Sequence, residues 1–230
     1  MRTRHRGLLA SVAISATLTA CGQAQANPQT LLTRAKSLLD GTTSAHFTLT
    51  SSGAGGSGIV LLGGSGDILR PDSFNGTLTV SLSGFTTTVP AVSINGTFYV
   101  RNPLSDHFES ADPAQYGFAD PGKLMDRQNG LSSLLLKCQN PSAGSDDRLN
   151  GELLHEVSCS LPGQDVKALL TDAAPDRPVA ATAGIAADSG QLRRVVLTGP
   201  FYSSSTSSTF TLVVVNYGEN VTVTPPPAGS

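Results

Sequence analysis

Cys21 is the residue whose neighbours most clearly indicate a chemical modification. Three arginines among the first six residues, an apolar stretch over residues 7–20 and the small residues Thr19 and Ala20 precede its thiol. This order, basic and then apolar, is typical of an export signal, and small side chains let a peptidase reach the backbone. The pattern predicts a signal peptide over residues 1–20 and a Cys21 thiol that carries diacylglycerol, with palmitate among the acyl chains.

The predicted acyl chains would hold the protein on a membrane. Each buried methylene contributes about 0.8 kcal/mol, and two chains anchor a protein stably where one chain holds it only reversibly. We therefore expect residues 21–26 to form a lipidated tether, with the folded part on the outer face of the cell membrane, in the cell envelope. Ordinary cleavage after Ala24-Gln25-Ala26 would instead give a soluble secreted protein.

The other two cysteines, Cys138 and Cys159, form an even pair in a compartment that we expect to be oxidising. A disulfide is the default interpretation of such a pair. The alternative is a metal site, because His155 and Glu156 lie close to Cys159 in sequence. A strand would place Glu156 on the face opposite the other two residues, and no second ligand cluster follows, so no metal site is predicted.

Three patterns resemble cofactor or catalytic motifs, but each lacks a necessary part. The glycine-rich run Gly53–Gly58 precedes residues typical of a strand, whereas dinucleotide binding requires a helix there. The segment Gly55–Ile59 lacks the second glycine of a nucleophile elbow. His46, His107 and His155 have no Ser or Asp at a spacing typical of catalysis, so we interpret them as structural or solvated. We expect no enzyme and no cofactor.

Composition indicates a β-rich protein that does not bind nucleic acid. Charged residues are 14% of the 230 residues, and the formal net charge is −2, whereas about 25% charged residues is usual in soluble domains. No run of lysine or arginine follows the N-terminal segment, so the basic surface that a phosphate backbone requires is missing.

The first half of the mature chain changes from a helical to a strand periodicity. Asn27-Pro28 is a helix cap followed by a first-turn proline, and leucines at helical spacing continue to Gly41. Apolar and polar residues then alternate, which predicts half-buried strands. Gly63–Gly66 is expected to be a turn between two short strands, and Asn95-Gly96 predicts a two-residue hairpin.

The second half is expected to contain short helices and then more strands. Leu124, Met125, Leu131, Leu134 and Leu135 predict two short helices interrupted near residues 129–130, and a third helix is plausible over residues 165–173. Strands are predicted over residues 153–161, 193–197 and 209–217. We expect one domain over residues 27–224 and a proline-rich tail over residues 225–230.

Several of these segments, in this order, resemble the mycobacterial LppX/LprA/LprF/LprG lipoproteins over essentially the whole mature chain. Besides Cys21 and the first helix, the similar segments are Ser44-Ala45-His46-Phe47-Thr48-Leu49-Thr50, Asn95-Gly96-Thr97-Phe98-Tyr99, Asp120-Pro121 to Asn129-Gly130-Leu131, and Asn216-Tyr217-Gly218-Glu219. The resemblance implies an α+β fold in which a curved antiparallel sheet forms a half-barrel. Helices would cover its concave face around a large apolar cavity.

The resemblance also implies a ligand and a site. Members of the family carry acylated lipids and glycolipids from the plasma membrane towards the outer envelope, which suggests an envelope lipid transporter as a further partner. Alternation separates the two faces of each strand but does not show which face points towards the cavity. The same apolar residues would equally suit a packed core. The predicted cavity wall is Leu78, Val80, Leu82, Ile94, Phe98, Val195, Leu197, Phe210, Leu212 and Val214, with Leu131, Leu134 and Leu135 on a covering helix.

Three functions remain open from the sequence. The leading hypothesis is a membrane-anchored carrier of acylated lipids or glycolipids. The second is an interaction lipoprotein with a solid core, which a host would detect as a receptor agonist through its acyl anchor. The third is an envelope esterase, which would lose activity on substitution of one serine or histidine.

Overall fold

A computed structural model describes residues 27–53, 55, 58–82, 84–203 and 206–226. The predicted signal peptide, Cys21, the tether and residues 227–230 of the predicted tail lie outside the described residues. Within the described part, no helix is long and apolar enough to cross a membrane.

The first helix, α1 (Pro28–Gly41), is the helix that the sequence predicts. The Asn27 side chain accepts hydrogen bonds from the backbone N–H groups of Gln29, at 2.9 Å, and Thr30, at 3.3 Å, which satisfies two donors at the helix start. Pro28 occupies the first turn, where no N–H is needed. The buried side of α1 consists of Leu32, Ala35 and Leu39.

Twelve antiparallel strands form one open sheet. In chain order they are β1 (Ser44–Ser52), β2 (Ile59–Leu69), β3 (Ser73–Leu82), β4 (Phe85–Ile94), β5 (Thr97–Arg101), β6 (Phe108–Ser110), β7 (Gln139–Ala143), β8 (Asp147–Leu149), β9 (Glu152–Leu161), β10 (Val179–Ala186), β11 (Leu192–Ser203) and β12 (Thr206–Val215). Their spatial order is β6-β5-β4-β3-β2-β1-β12-β11-β10-β9-β7, with β8 beside β9. The first and last strands therefore pair at the centre and join the two halves.

The sheet is strongly curved. The Tyr202 hydroxyl on β11 donates a hydrogen bond of 2.8 Å to the Leu61 carbonyl on β2, although β12 and β1 lie between these strands. In a flat sheet three strand spacings would separate β11 from β2 by about 14 Å, which is more than a tyrosine side chain can span. The predicted fold class, a half-barrel of antiparallel strands with helices on one face, is confirmed.

Short elements cover the concave face. They are two 3₁₀ turns (Pro113–Tyr116 and Pro121–Lys123), α2 (Leu131–Leu136) and α3 (Gly163–Val166). We call residues 113–136 and 163–170 the cover. α1 packs against α2 and against the β7–β11 side of the sheet, whereas the second 3₁₀ turn contacts β2, β3 and β4.

The glycine run at residues 63–66 is part of a strand, and the prediction of a turn there was wrong. β2 continues through it, with a register shift between Leu61 and Gly63. A Cβ atom on Gly66 would lie 2.5 Å from both the Asn75 carbonyl oxygen and the Phe74 ring on β3. Glycine is required there because the neighbouring strand and its side chain approach closely.

Other boundaries also differ from the prediction. Residues 95 and 96 form the expected hairpin turn, with φ angles of 53° and 74°, as a type I′ turn requires. The helix expected over residues 165–173 is only the four-residue α3. Strand β10 was not predicted because its residues, Val179–Ala186, are mostly alanine and glycine, which carry little strand signal.

The disulfide prediction agrees with the structure. Cys138 and Cys159 are bonded, and their Cα atoms lie 5.5 Å apart. Cys138 follows α2 by two positions and Cys159 lies within β9, so the bond fixes the end of the cover to the sheet.

We expect the double variant Cys138→Ser/Cys159→Ser to be less stable than the wild type by about 3 kcal/mol, because the bond closes a loop of about 20 residues in the unfolded chain. Urea denaturation with circular dichroism measures the difference. Wild-type protein treated with a reductant is the control and should match the variant. Equal stability of the oxidised wild type and the variant would contradict the prediction.

Candidate functional site

An apolar cavity of about 120 Å³ lies between the concave face and the cover. From the sheet it is lined by Phe47, Leu49, Leu61, Gly64, Ser65, Gly66, Ile68, Phe74, Leu78, Val195, Leu197, Phe210 and Leu212. From the cover it is lined by Phe118, Ala119, Asp120, Pro121, Leu124, Leu131, Leu169 and Leu170. Asp120 is the only one of these residues with an ionisable side chain.

Strand register aligns the apolar side chains of the wall. Leu212 on β12 lies opposite Leu49 on β1 and opposite Val195 on β11. Because directly opposed residues of antiparallel strands point to the same face, these side chains form a continuous apolar row. Leu49 and Leu212 lie in the middle of the sheet and are nevertheless only half-buried. Their free surface faces the cavity, since neighbouring strands pair with both edges of β1 and β12.

Glycines on β2 make room for the larger residues beside them. A Cβ atom on Gly64 would lie 2.8 Å from the Thr77 carbonyl oxygen and 3.0 Å from a methyl group of Leu78. The Phe74 ring makes a similar approach to Gly66. Between Leu61 and Ile68, the β2 part of the wall is therefore formed at Gly64 and Gly66 by backbone, with side chains of β3 leaning over it.

Asp120 connects the cover to the sheet. Its Oδ1 atom accepts hydrogen bonds from the Ser93 hydroxyl on β4, at 2.5 Å, and from the Gly122 N–H, at 2.9 Å. Ser93 is fully buried, so this hydrogen bond satisfies a hydroxyl that water does not reach. The one carboxylate at the cavity is thus occupied by the protein itself.

A second carboxylate shapes the turn before α2. Asp126 Oδ1 accepts hydrogen bonds from the N–H groups of Gln128, at 2.9 Å, and Asn129, at 2.7 Å. These bonds lower the pKa of Asp126, because they stabilise its charged form. The Leu131 N–H donates to the Leu124 carbonyl across the same turn, at 2.8 Å. The turn thereby brings Leu124 and Leu131 to the cavity.

An aromatic cluster separates the cavity from a larger groove. Phe98, Tyr116 and Phe118 pack together with ring centroids 5.9–6.2 Å apart. Phe118 lines the cavity and Tyr116 lines the groove, whose volume is about 660 Å³. The groove is lined by Ile59, Val80, Leu82, Thr87, Val89, Val100, Arg101, Asn102, Pro103, Leu104, Glu109, Ser110, Ala111, Asp112, Gln115 and Tyr116. It continues the same sheet face, since Val80 pairs with Leu61 of the cavity wall.

The structure places twelve of the thirteen residues of the predicted wall in four locations. Six line the cavity, namely Leu78, Leu131, Val195, Leu197, Phe210 and Leu212. Val80 and Leu82 line the groove, and Phe98 belongs to the aromatic cluster. Leu134, Leu135 and Val214 are buried in the core beside the cavity without lining it.

Ile94 lies on the opposite face of the sheet from the predicted wall. Ser93 pairs with Phe98, whereas Ile94 pairs with Thr97. The two-residue turn fixes this register, so Ile94 and Phe98 cannot share a face. The sequence alone allowed either face for Ile94.

Sequence reasoning did not assign several lining residues. Phe47 and Leu49 show the same alternation as the predicted wall strands, so that signal was present on β1. Phe118, Leu169 and Leu170 lie in turns without regular periodicity, and no local pattern places them at the cavity.

A polar cluster occupies the face opposite the cavity. His46 Nδ1 lies 2.6 Å from Asp67 Oδ1, and His46 Nε2 lies 2.9 Å from the Ser65 hydroxyl. No sequence spacing indicates these neighbours of His46, because strand pairing brings together residues that are about 20 positions apart. Ser65 lies within a central strand, paired with Thr48 and Thr77 on its two sides. Its backbone therefore belongs to the sheet ladders and does not form an exposed nucleophile turn.

The described residues contain no group of three His, Cys, Asp or Glu side chains that could hold a metal ion.

The fold and the site together define a class of protein. Its members are open antiparallel half-barrels with an apolar cavity beneath a cover of short helices. The chain belongs to the LppX_LprAFG lipoprotein family, whose model matches residues 27–223. The family resemblance seen in the sequence is thereby confirmed. No curated protein matches the chain significantly in sequence.

Two solved structures share this fold. LprF from Mycobacterium bovis superposes with a TM-score of 0.71 and 19% identity, over 86% of this chain and 96% of LprF. Lipoprotein LppX from Mycobacterium tuberculosis gives a TM-score of 0.62 and 19% identity, over 85% of this chain and 97% of LppX. At this level of identity the similarity establishes the fold and does not assign a ligand.

We expect the Gln128 and Asn129 amide signals to titrate with a midpoint below 3.8, the ordinary pKa of an aspartate. The pKa of Asp126 is lower in the folded protein than in the unfolded chain. The charged carboxylate therefore stabilises the turn fully at pH values above the pKa of the unfolded chain. This stabilisation is lost as the pH falls through the pKa of the folded protein. NMR titration of the amide shifts measures the midpoint, and Asp126→Asn should abolish the titration. A midpoint of 3.8 or above would contradict the assignment.

Proposed function

We propose that the protein is a membrane-anchored lipoprotein that binds acylated lipids or glycolipids in the cavity and carries them across the cell envelope. The observation that carries the proposal is the apolar cavity at the centre of the concave face. Protein cores are normally packed without such voids, and a void with apolar walls stays dry. The void also argues against the solid core of the alternative interaction lipoprotein.

The free-energy cost of exposing a lipid to water explains why a carrier is needed. A diacylated lipid has about thirty methylenes, each of which costs about 0.8 kcal/mol when it is exposed to water. Such a lipid crosses an aqueous space at a useful rate only if its chains stay dry. Apolar side chains from β1, β11 and β12 provide a dry surface against which a chain can lie.

The size of the cavity requires the cover to move. Its volume of about 120 Å³ is close to that of an engineered apolar cavity of about 150 Å³ that binds benzene. A long acyl chain needs more space, and the groove beyond the aromatic cluster offers it. We propose that the segment carrying Tyr116 and Phe118 moves outward and joins the two spaces. Its 3₁₀ turn is only four residues long. The outward movement would break two backbone hydrogen bonds, from the Ala119 N–H to the Leu169 carbonyl and from the Thr171 N–H to the Gly117 carbonyl.

The proposed carrier is anchored to the membrane through acylated Cys21. Membership of a lipoprotein family supports acylation at Cys21, with the folded part held at the outer face of the cell membrane. An envelope lipid transporter would supply or receive the bound lipid. We propose no catalytic step for this function.

A second candidate, an envelope esterase, is favoured by one observation. With its proton on Nδ1, His46 donates a hydrogen bond to Asp67 and its Nε2 accepts one from the Ser65 hydroxyl, which is the order of a Ser-His-Asp triad. A triad also needs donors that stabilise the oxyanion, and the N–H of Ser65 lies in a paired central strand. Lipid binding is therefore the function that the geometry supports better.

Filling the cavity should abolish lipid binding. We expect Leu212→Trp to reduce bound lipid at least tenfold, because the indole ring would occupy the space between Leu49 and Val195. Val213→Trp is the matched control, since it adds the same side chain to the same strand on the opposite face. Native mass spectrometry of both variants measures the bound lipid, and circular dichroism establishes that both are folded.

Equal lipid occupancy in Leu212→Trp and Val213→Trp would show that the cavity is not the binding site. Leu49→Trp approaches the same space from β1 and gives a second test if Leu212→Trp does not fold.

We expect the wild type to hydrolyse a short p-nitrophenyl ester no faster than Ser65→Ala, because the cluster lacks oxyanion donors. The release of p-nitrophenol, followed by absorbance, measures both rates. A wild-type rate that falls at least a hundredfold in both Ser65→Ala and His46→Ala would establish the esterase instead.

A further inference from the structure

Three long stretches of the chain contain no ionised side chain. Residues 47–66, 73–100 and 195–218 contain no Asp, Glu, Lys, Arg or His. They include the connections β1–β2, β3–β4 and β11–β12. The register places these connections at one end of the sheet, because Ile59 pairs with Leu82, Leu82 with Phe85, and Ser52 with Thr209 near the start of β12. The β9–β10 connection, residues 162–178, leaves from the same end and contains charged residues. We therefore use the name uncharged end only for the part formed by the three connections named above.

Exposed apolar side chains concentrate near this end. Among the described residues the large exposed apolar side chains are Leu82 (52% exposed), Phe85 (81%), Leu104 (95%) and Leu136 (47%). Leu82 and Phe85 flank the β3–β4 turn, and Leu104 follows β5. Leu82 and Leu104 also line the groove, so both lie at its edge. We call Leu82, Phe85 and Leu104 the apolar rim, whereas Leu136 lies on α2.

Three charged side chains beside the apolar rim have partners within the protein. Arg101 forms a salt bridge of 2.9 Å with Asp106. Glu109 accepts hydrogen bonds from Asn102, at 3.1 Å, and from Ser105, at 3.0 Å. Arg101 is the only lysine or arginine among the described residues that line the groove, so this edge offers no basic cluster to attract anionic headgroups. Any partner of this surface must therefore recognise it through apolar contact.

We propose that the uncharged end docks onto a lipid bilayer, with the apolar rim entering the boundary between the headgroups and the acyl chains. The inference rests on the proposed function, because a carrier has to meet a membrane in order to load or release its lipid. Moving an ionised side chain towards hydrocarbon is costly, and the three uncharged stretches avoid that cost. Apolar side chains beside turns can enter a bilayer without rearrangement of the sheet.

The position of the rim also suits lipid transfer. The cavity, the aromatic cluster, the groove and the rim follow one another along the same face of the sheet. With the rim in the bilayer, the groove would open directly to the acyl chains. A lipid could then enter the protein without passing through water, which removes the cost of exposing its methylenes.

A single tryptophan tests this surface, because the chain contains none. We use the mature chain with Cys21→Ala, so that the acyl anchor does not determine binding, and add Phe85→Trp as the probe. Vesicles contain phosphatidylcholine with or without brominated acyl chains, which quench only an inserted indole ring. We expect a blue shift and at least twofold quenching, equal at about 0.1 M and about 1 M salt, since no ion pairing is involved.

Leu136→Trp, in the same Cys21→Ala background, is the matched control, because it places a probe at the exposed apolar residue outside the rim. Its emission should not change with either kind of vesicle. Quenching of neither probe, equal quenching of both, or binding that requires anionic lipid and disappears at high salt would overturn the proposal. If neither tryptophan probe inserts into the vesicles, the partner of the apolar rim would be a protein instead of a bilayer.

Phe85→Ser separates this inference from the proposed function. Phe85 lines neither the cavity nor the groove, so the lipid that the variant binds at equilibrium from detergent-dispersed lipid, without a membrane, should equal that of the wild type. Its partitioning onto vesicles should fall about tenfold, because one apolar side chain is lost from the bilayer contact. Unchanged partitioning would overturn the docking surface while the lipid site stands. If the wild type inserts into vesicles but no preparation of it binds lipid, the lipid site is overturned while the docking surface stands.

Discussion

An open antiparallel sheet with one apolar face has to keep that face away from water, and most of this structure follows from that requirement. The curvature of the sheet, shown by the hydrogen bond from Tyr202 to Leu61, reduces the area that needs a cover. α1 packs against the β7–β11 side. Over the rest of the concave face the cover consists of short turns and a six-residue helix. They do not fill the space above Leu49 and Leu212, so the same shortage of packing that costs stability produces the apolar cavity.

The cover is attached at points that differ in strength. The disulfide between Cys138 and Cys159 fixes its end to β9 covalently, and the hydrogen bond from Ser93 to Asp120 fixes its middle to β4. Between β6 and Asp120, the segment with Tyr116 and Phe118 is held by aromatic packing and by two backbone hydrogen bonds to the chain after α3. The Ala119 N–H donates to the Leu169 carbonyl at 2.9 Å, and the Thr171 N–H donates to the Gly117 carbonyl at 3.0 Å. Aromatic contacts can rearrange without leaving a buried charge or an unpaired hydrogen bond. Since the disulfide and the Ser93–Asp120 hydrogen bond both lie outside this segment, it is the part of the cover that we propose to move when a lipid binds.

Much of the fold could be predicted from local patterns, and the exceptions have physical causes. Alternation located β3 and β12, and Asn95-Gly96 predicted its hairpin. Gly63–Gly66 carries turn residues within a strand because the Phe74 ring occupies the space that a side chain would need. The place of Ile94 depended on register, which no single strand reveals. The approach of Ser65 and Asp67 to His46, and of Leu169 to the cavity, arises from tertiary pairing. Only the family resemblance indicated that the apolar face leaves a void.

The central claim is that the mature protein contains lipid. The most direct measurement is native mass spectrometry, with extraction and identification of bound lipid, on the Cys21→Ala mature chain purified from a mycobacterial host and from a host that lacks mycobacterial lipids. The account predicts a discrete mass increment of one multi-acylated lipid in the mycobacterial preparation. The preparation from the other host should lack it and should acquire it when envelope lipids are added. A bare protein mass in both preparations, with no binding or stabilisation on addition of those lipids, would contradict the account.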